Sequence, residues 1–216
     1  MLCAAGLLAA RTGTASAHPH VFVDTGIEVI FDAQGRASAL RIRWHYDDLF
    51  SLLIMEDRGF DADFDGVLTD QESAALQGFD MGWDPGFAGD TYALSGVSPL
   101  ILSAPQEWTA DYVDGRIAST HVRQIEPPVL LSEQSLIVQV YDPGFYTAYH
   151  IDPATVLTGA AAGCSAQAFE PDLATADAIL QAAIDEQAGS ADVEGDFPAI
   201  GAAYSEEVRV TCPPAS

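Results

Sequence analysis

From His18 onward, apolar and polar residues alternate with the period of two that marks half-buried strands. Val21 and Val23, then Ile27, Val29 and Phe31, share one face. "DAQGR" (Asp32 to Arg36) reads as a turn, and Leu40, Ile42 and Trp44 continue on a return strand, so a β-hairpin is expected. At Asp47 the period lengthens. Leu49, Leu52, Leu53 and Met55 recur at helical spacing, with Asp47 or Asp48 available as the N-cap. "TDQESAALQGF" (Thr69 to Phe79) predicts a second helix, broken by Gly78 and Gly82.

Beyond Gly82 the strand pattern returns. "EWTADYV" and "RIASTHVRQI" flank Asp114-Gly115, a two-residue hairpin signal, and Pro127-Pro128 interrupts the pattern. Ser135 to Asp142 and Phe145 to Ile151 supply two more strands, and "SEEVRVTC" a last one. Pro171 to Ala188 predicts a further helix that starts after a proline, and Gly189 to Phe197 is a polar loop. There is no internal repeat and no alternation of strand and helix, which argues against a doubly wound parallel sheet. The expected fold class is α+β: a mainly antiparallel sheet with an EF-hand-like helix-loop-helix insertion and one further helix.

The N-terminus changes the domain picture. "LCAAGLLAA" (Leu2 to Ala10) is a short apolar run, and Ala15-Ser16-Ala17 fits a small-residue cleavage site before His18. Residues 1–17 are therefore expected to be a cleaved signal peptide, leaving one domain over 18–216 with the EF-hand-like segment at 47–80. The run is too short to cross a bilayer, and no later segment is long and apolar enough. Cleavage removes Cys3 and leaves Cys164 and Cys212, an even pair that in an exported chain predicts one disulfide.

Charge narrows the partners. With 32 acidic residues against 8 basic ones, all arginine, the net charge of −24 argues against nucleic acid and anionic membrane surfaces. Such a chain attracts cations weakly everywhere, so a cation site has to be argued from geometry.

"DADFDGVLTDQE" supplies that geometry. A calcium loop of twelve residues presents oxygens at positions 1, 3, 5, 7, 9 and 12 and turns sharply at a glycine in position 6. Here these positions hold Asp61, Asp63, Asp65, the Val67 carbonyl, Thr69 (through water) and Glu72, with Gly66 at the turn and helical patterns on both sides. The expected cofactor is Ca²⁺, held as a structural clip, because no second loop is present to form a pair.

Processing after Ala17 would expose His18 in "HPHVFVD". Its α-amino group and imidazole, joined by His20, offer three nitrogens to nickel, cobalt, zinc or copper. Pro19 has no amide proton, so the copper/nickel motif that uses deprotonated backbone amides cannot form. Asp24, Asp47 and His45 are candidates for the open coordination position. His121 and His150 read as ordinary strand histidines. No nucleophilic triad or Gly-rich phosphate loop stands out, and no enzymatic activity is expected.

Taken together, "HPHVFVDTGIEVIFDAQGR", "DADFDGVLTDQE", "VYDPGFYTAYHI" and the closing "AGC…VRVTC" resemble an exported domain-of-unknown-function family, number 1007, across nearly all of residues 18–216. Members of that family are labelled as periplasmic components of an uncharacterised ABC-type transport system and commonly accompany a NicO-type nickel/cobalt permease. The resemblance implies a periplasmic metal-binding accessory protein for nickel, cobalt or zinc, partnered by such an inner-membrane permease. It implies neither the ion nor the ABC label, since a typical metal-capturing lobe is built of βα units. Two other readings stay open: a copper protein or oxidase with a histidine brace at His18, completed by His45, His121 or His150; and a calcium-clipped structural or interaction module.

Overall fold

The computed structural model describes residues 19–132, 134–160, 162–186 and 199–214. The predicted first hairpin forms from β1 (Val21–Phe31) and β2 (Ala37–Tyr46), paired antiparallel. The Asp32 carboxylate closes its turn by accepting from the Gln34 and Arg36 amides. Further along the chain come α1 (Asp48–Arg58), α2 (Asp70–Leu76), β3 (Thr91–Ser95), β4 (Ser98–Pro99), β5 (Ile101–Leu102) and β6 (Gln106–Val113). The chain continues through β7 (Arg116–Val129), β8 (Leu136–Val140), β9 (Thr147–Ile151), β10 (Val156–Thr158), β11 (Ser165–Phe169), α3 (Leu173–Glu186), a 3-10 turn (Gly201–Tyr204) and β12 (Glu207–Thr211).

Two sheets result. In the first, β2 lies between β1 and β7; β6 and β5 pair with the far side of β7, and β9 and β10 with the far side of β1. The second runs β11-β12-β8-β3-β4 and is antiparallel throughout. One hydrophobic core takes Val23, Ile27, Val29, Leu40 and Ile42 from the first sheet and Leu136, Val138, Val140, Val208 and Val210 from the second. Helices and a dominant, mainly antiparallel strand content agree with the expected α+β class. The parallel additions of β9 and β10 to β1 depart from it locally. They join Val21 to Thr147 and Glu28 to Val156, pairings so distant along the chain that no local pattern announces them.

Two expectations need correction. Pro127 and Pro128 do not interrupt the strand: β7 runs through them, with a cis bond at Glu126-Pro127. They fall where the β2 register shifts between Ala37 and Ala39, a bulge that needs no ladder amide from proline. Leu49, Leu52 and Leu53 do not face the core either; they are 64%, 49% and 48% exposed. Helix α1 buries Ser51 and Met55 instead, and the Ser51 hydroxyl accepts the Ile117 amide at 2.9 Å. Phe50 and Ile54 pack against the core on the same side, and within that face the Ser51 oxygen satisfies a backbone donor near the start of β7. The expected polar loop at Gly189 to Phe197 lies outside the described residues.

Residues 77–90 form a strap against the inner face of the first sheet. Two buried carboxylates fasten it: Asp80 accepts the Tyr46 hydroxyl at 2.8 Å and the Ser119 hydroxyl at 2.5 Å, and Asp90 accepts the Tyr149 hydroxyl at 2.8 Å. Between them Trp83 lies under the Arg123 guanidinium, 5.2 Å from ring centroid to Cζ. Gly89 makes this fit possible, since its φ is +65° and a Cβ there would stand 2.2 Å from the Trp83 ring.

Burial raises the Asp80 carboxyl and lifts Asp90 to about 6. The folded state therefore holds a proton that the unfolded chain releases near pH 4. Asp90 thus contributes stability that is present below about pH 4 and lost as pH rises towards 6. Asp90→Asn should flatten that decline, seen as a urea midpoint that gains on wild type between pH 4 and pH 7. Parallel midpoints for the two proteins would refute it. The comparison has to be a difference between variants, because Glu28, Asp32 and Asp172 are held low by their hydrogen bonds and act in the opposite sense.

Candidate cation sites

Helix α1 ends at Gly59, φ +63°, and the chain enters the acidic loop. Asp61 is 8% exposed. Its Oδ2 accepts the Gly66 amide at 2.9 Å, while its Oδ1 is buried with no hydrogen-bond partner among the described residues. Asp63 and Asp65 bring carboxylate oxygens within 4.8 Å of it and of one another. Among the described residues this is the only group of three or more His, Cys, Asp or Glu side chains so gathered. Phe64 and Gly66 both take left-handed backbone, at φ +56° and +77°, which curls the three aspartates to one side. At Gly66 no atom would meet a Cβ, so conformation and not space selects glycine.

The far end of the loop is held by α2. Thr69 caps it, accepting the Glu72 amide, and Glu72 returns its carboxylate to the Thr69 amide at 2.9 Å, a capping box. The other Glu72 oxygen accepts the Ala62 amide at 3.0 Å. These backbone bonds hold the Glu72 carboxyl below its usual range. Glu72 thus ties both ends of the loop while standing outside the aspartate trio. Val67 is 69% exposed and donates its amide to Asp65 at 2.7 Å.

His18 lies outside the described residues, as does the expected signal segment. His20 donates its amide to the Tyr146 carbonyl at 2.8 Å and lays its ring 4.8 Å from the Tyr146 ring. A hollow beside it is lined by His20, Phe22, Asp47, Asp48, Leu49 and Arg116. Asp47 is already engaged: one oxygen caps α1 through the Phe50 amide at 2.8 Å, and the other accepts the Phe22 amide at 2.8 Å.

Asp24 and His45 are cross-strand neighbours, and His150 flanks Asp24 on its other side, so the three form one row on the outer face. The row lies four residues along β1 from His20, about 13 Å at strand rise. Arg116 occupies it, 3.0 Å from Asp24. The structure therefore sets Asp24 and His45 apart from His20 and leaves Asp47 and Asp48 as the nearby carboxylates.

The remaining histidines have separate surroundings. His121 is fully buried, its ring edge-on to Trp44 and Trp83 at 4.7 and 5.4 Å, and burial pushes its pKa down to about 4. His150 shares a hydrogen bond of 2.8 Å with Glu206, which raises its pKa. Burial, with Arg116 and Arg43 nearby, keeps His45 below its usual range. Sequence reasoning missed the His150–Glu206 pair because Glu206 lies just before β12 of the second sheet, far along the chain from β9 of the first.

Cys164 and Cys212 are joined as expected, at the end of the β11–β12 ladder where Ser165 faces Thr211. No helix among the described residues is long and apolar enough to cross a membrane.

Fold and site together define a disulfide-clipped, two-sheet domain that carries an acidic, helix-flanked loop. A family model described as a protein of unknown function (DUF1007) matches residues 3–212, and the chain belongs to that family. No curated protein matches it.

Proposed function

We propose that this chain is an exported metal-binding accessory protein of a nickel, cobalt or zinc transport system, with Asp61 to Glu72 serving as an EF-hand-like structural calcium loop. The observation that carries the cation reading is Asp61. A buried carboxylate oxygen without a donor is costly, and a cation removes that cost. The all-oxygen character of Asp61, Asp63, Asp65, Thr69, Glu72 and the Val67 carbonyl suits Ca²⁺. Bound there, calcium would neutralise the mutual repulsion of the carboxylates and fasten α1 to α2.

The transport reading rests on the family resemblance and on the processed terminus. Export, with a periplasmic location, is supported by the disulfide and by the cleavage-site pattern. His18 and His20 would take the transition ion through the amine and two imidazoles, leaving a position open for release, and a NicO-type permease would receive it. Before cleavage the His18 nitrogen is an amide and a poor ligand; afterwards it is an amine with a pKa near 8 that metal can deprotonate.

Calorimetry with nickel, zinc and cobalt on correctly processed protein should find one site. An added N-terminal residue, His18→Ala and His20→Ala should each weaken it about tenfold or more. Lower pH should weaken it as well, because protons compete for the same nitrogens. Equal affinity in processed, extended and substituted protein would refute the site.

A further inference from the structure

Helix α1 turns an apolar ridge to solvent. Leu49, Leu52 and Leu53 stand at i, i+3 and i+4, and Phe22 of β1, 53% exposed, joins Leu49 in the hollow that His20 also lines. Large side chains exposed together on one face mark a contact surface more often than a solvent face. The helix turns Phe50, Ser51, Ile54 and Met55 inward and leaves three leucines outside, so packing against its own core does not account for the ridge.

The rim says what fits. Glu56 and Asp57 are exposed on α1 beside the ridge, and Asp48, its side chain 86% exposed, lies 3.6 Å from Arg116 at the hollow, so acidic groups outnumber the one arginine at this rim. A second copy would bring two acidic rims together in a chain of net charge −24, and an anionic lipid surface would be repelled likewise. Zwitterionic lipid carries no net positive charge to answer the carboxylates.

We infer that the ridge Phe22–Leu49–Leu52–Leu53 docks a partner protein presenting an apolar groove flanked by arginine or lysine. Docking there would set the partner beside His20, so one face would hold both contact and ion. The ridge stands without the metal reading, and its test is run without metal, so the two can fail separately.

The probe is a labelled synthetic helical peptide of leucine and arginine with its leucines on one face, beside a scrambled peptide of the same composition. The amphipathic peptide should bind wild type, and Leu52→Ser/Leu53→Ser should bind it about tenfold more weakly at unchanged melting temperature. Asp48→Asn/Glu56→Gln/Asp57→Asn should bind about threefold more weakly, with less dependence on salt. Equal binding of the scrambled peptide, or undiminished binding by the leucine variant, overturns the proposal. So does wild-type self-association in sedimentation that the leucine variant abolishes, which would give the ridge to a second copy. Flotation of wild type on phosphatidylcholine vesicles, lost in the same variant, would give it to lipid and overturn it too.

Discussion

Calcium at millimolar concentration should raise the melting temperature of the wild-type protein by several degrees and leave two single variants unmoved. Extracellular modules bind calcium at roughly 10⁻⁴ to 10⁻³ M. At the tight end of that range, about 10 mM calcium stabilises by roughly 2.7 kcal/mol, or about 5–10 °C for a domain of this size. The variants are chosen to keep the apo loop intact. Glu72→Gln keeps a residue able to complete the capping box with Thr69, yet removes the charge and the bidentate ligand. Asp61→Asn keeps an oxygen for the Gly66 amide but removes a carboxylate from the trio. Both should fold in calcium-free buffer much as wild type does and fail to gain from calcium. Stabilisation equal in all three proteins, or none in wild type with no calcium retained on dialysis, would exclude the loop as a calcium site.

That loop was the most legible part of the chain because its geometry is local. The positions of Asp61, Asp63, Asp65 and Gly66 follow from spacing, and the folded backbone bends at Gly66 as that spacing requires. Local signals also placed the hairpin at Asp114-Gly115, the cap at Asp47 and the helix after Pro171. Long-range pairings were not legible. Nothing near Asp24 announces that His45 and His150 will flank it, because the first neighbour depends on hairpin register and the second on a parallel strand more than a hundred residues away. For the same reason the sequence suggested Asp24 and His45 as companions of His20, although an extended strand carries them away from it.

Hydrophobic spacing misled in one place for a different reason. Leu49, Leu52 and Leu53 satisfy a helical apolar face, but so do Phe50, Ile54 and Met55, and the helix buries the second, on which the Ser51 hydroxyl also accepts the Ile117 amide. A pattern records which residues are apolar and not which neighbour lacks a hydrogen bond. Arg123 is the mirror case. Strand alternation puts it inward, 5% exposed, and it survives there by donating to the Ala88, Leu102 and Ser103 carbonyls, with the Trp83 ring beneath it. The strap, β5 and the residue after it supply those acceptors, and none is visible from the strand's own residues.

The largest stability effect should come from the disulfide. Cys164 and Cys212 are 48 residues apart, and they sit where the edge strand β11 meets β12. Closing a loop of that length removes unfolded-state entropy worth about 4 kcal/mol in the chain-entropy model. Cys164→Ser/Cys212→Ser should therefore lower the melting temperature by roughly 8–16 °C. The loss should be uneven. Among the described residues β11 hydrogen-bonds in the second sheet to β12 alone, whereas β12 is also paired with β8. Helix α3, inside the closed loop, meets the rest through the buried Ala176 and through Asp177, which accepts the Tyr204 hydroxyl at 2.8 Å. Hydrogen exchange in the variant should thus rise first in β11 and α3, while β3 and β8 keep wild-type protection. Two alkylatable thiols at these positions in unreduced protein from its native compartment would overturn the pairing. A melting temperature unchanged in the double variant would show instead that sheet packing alone holds β11 in place.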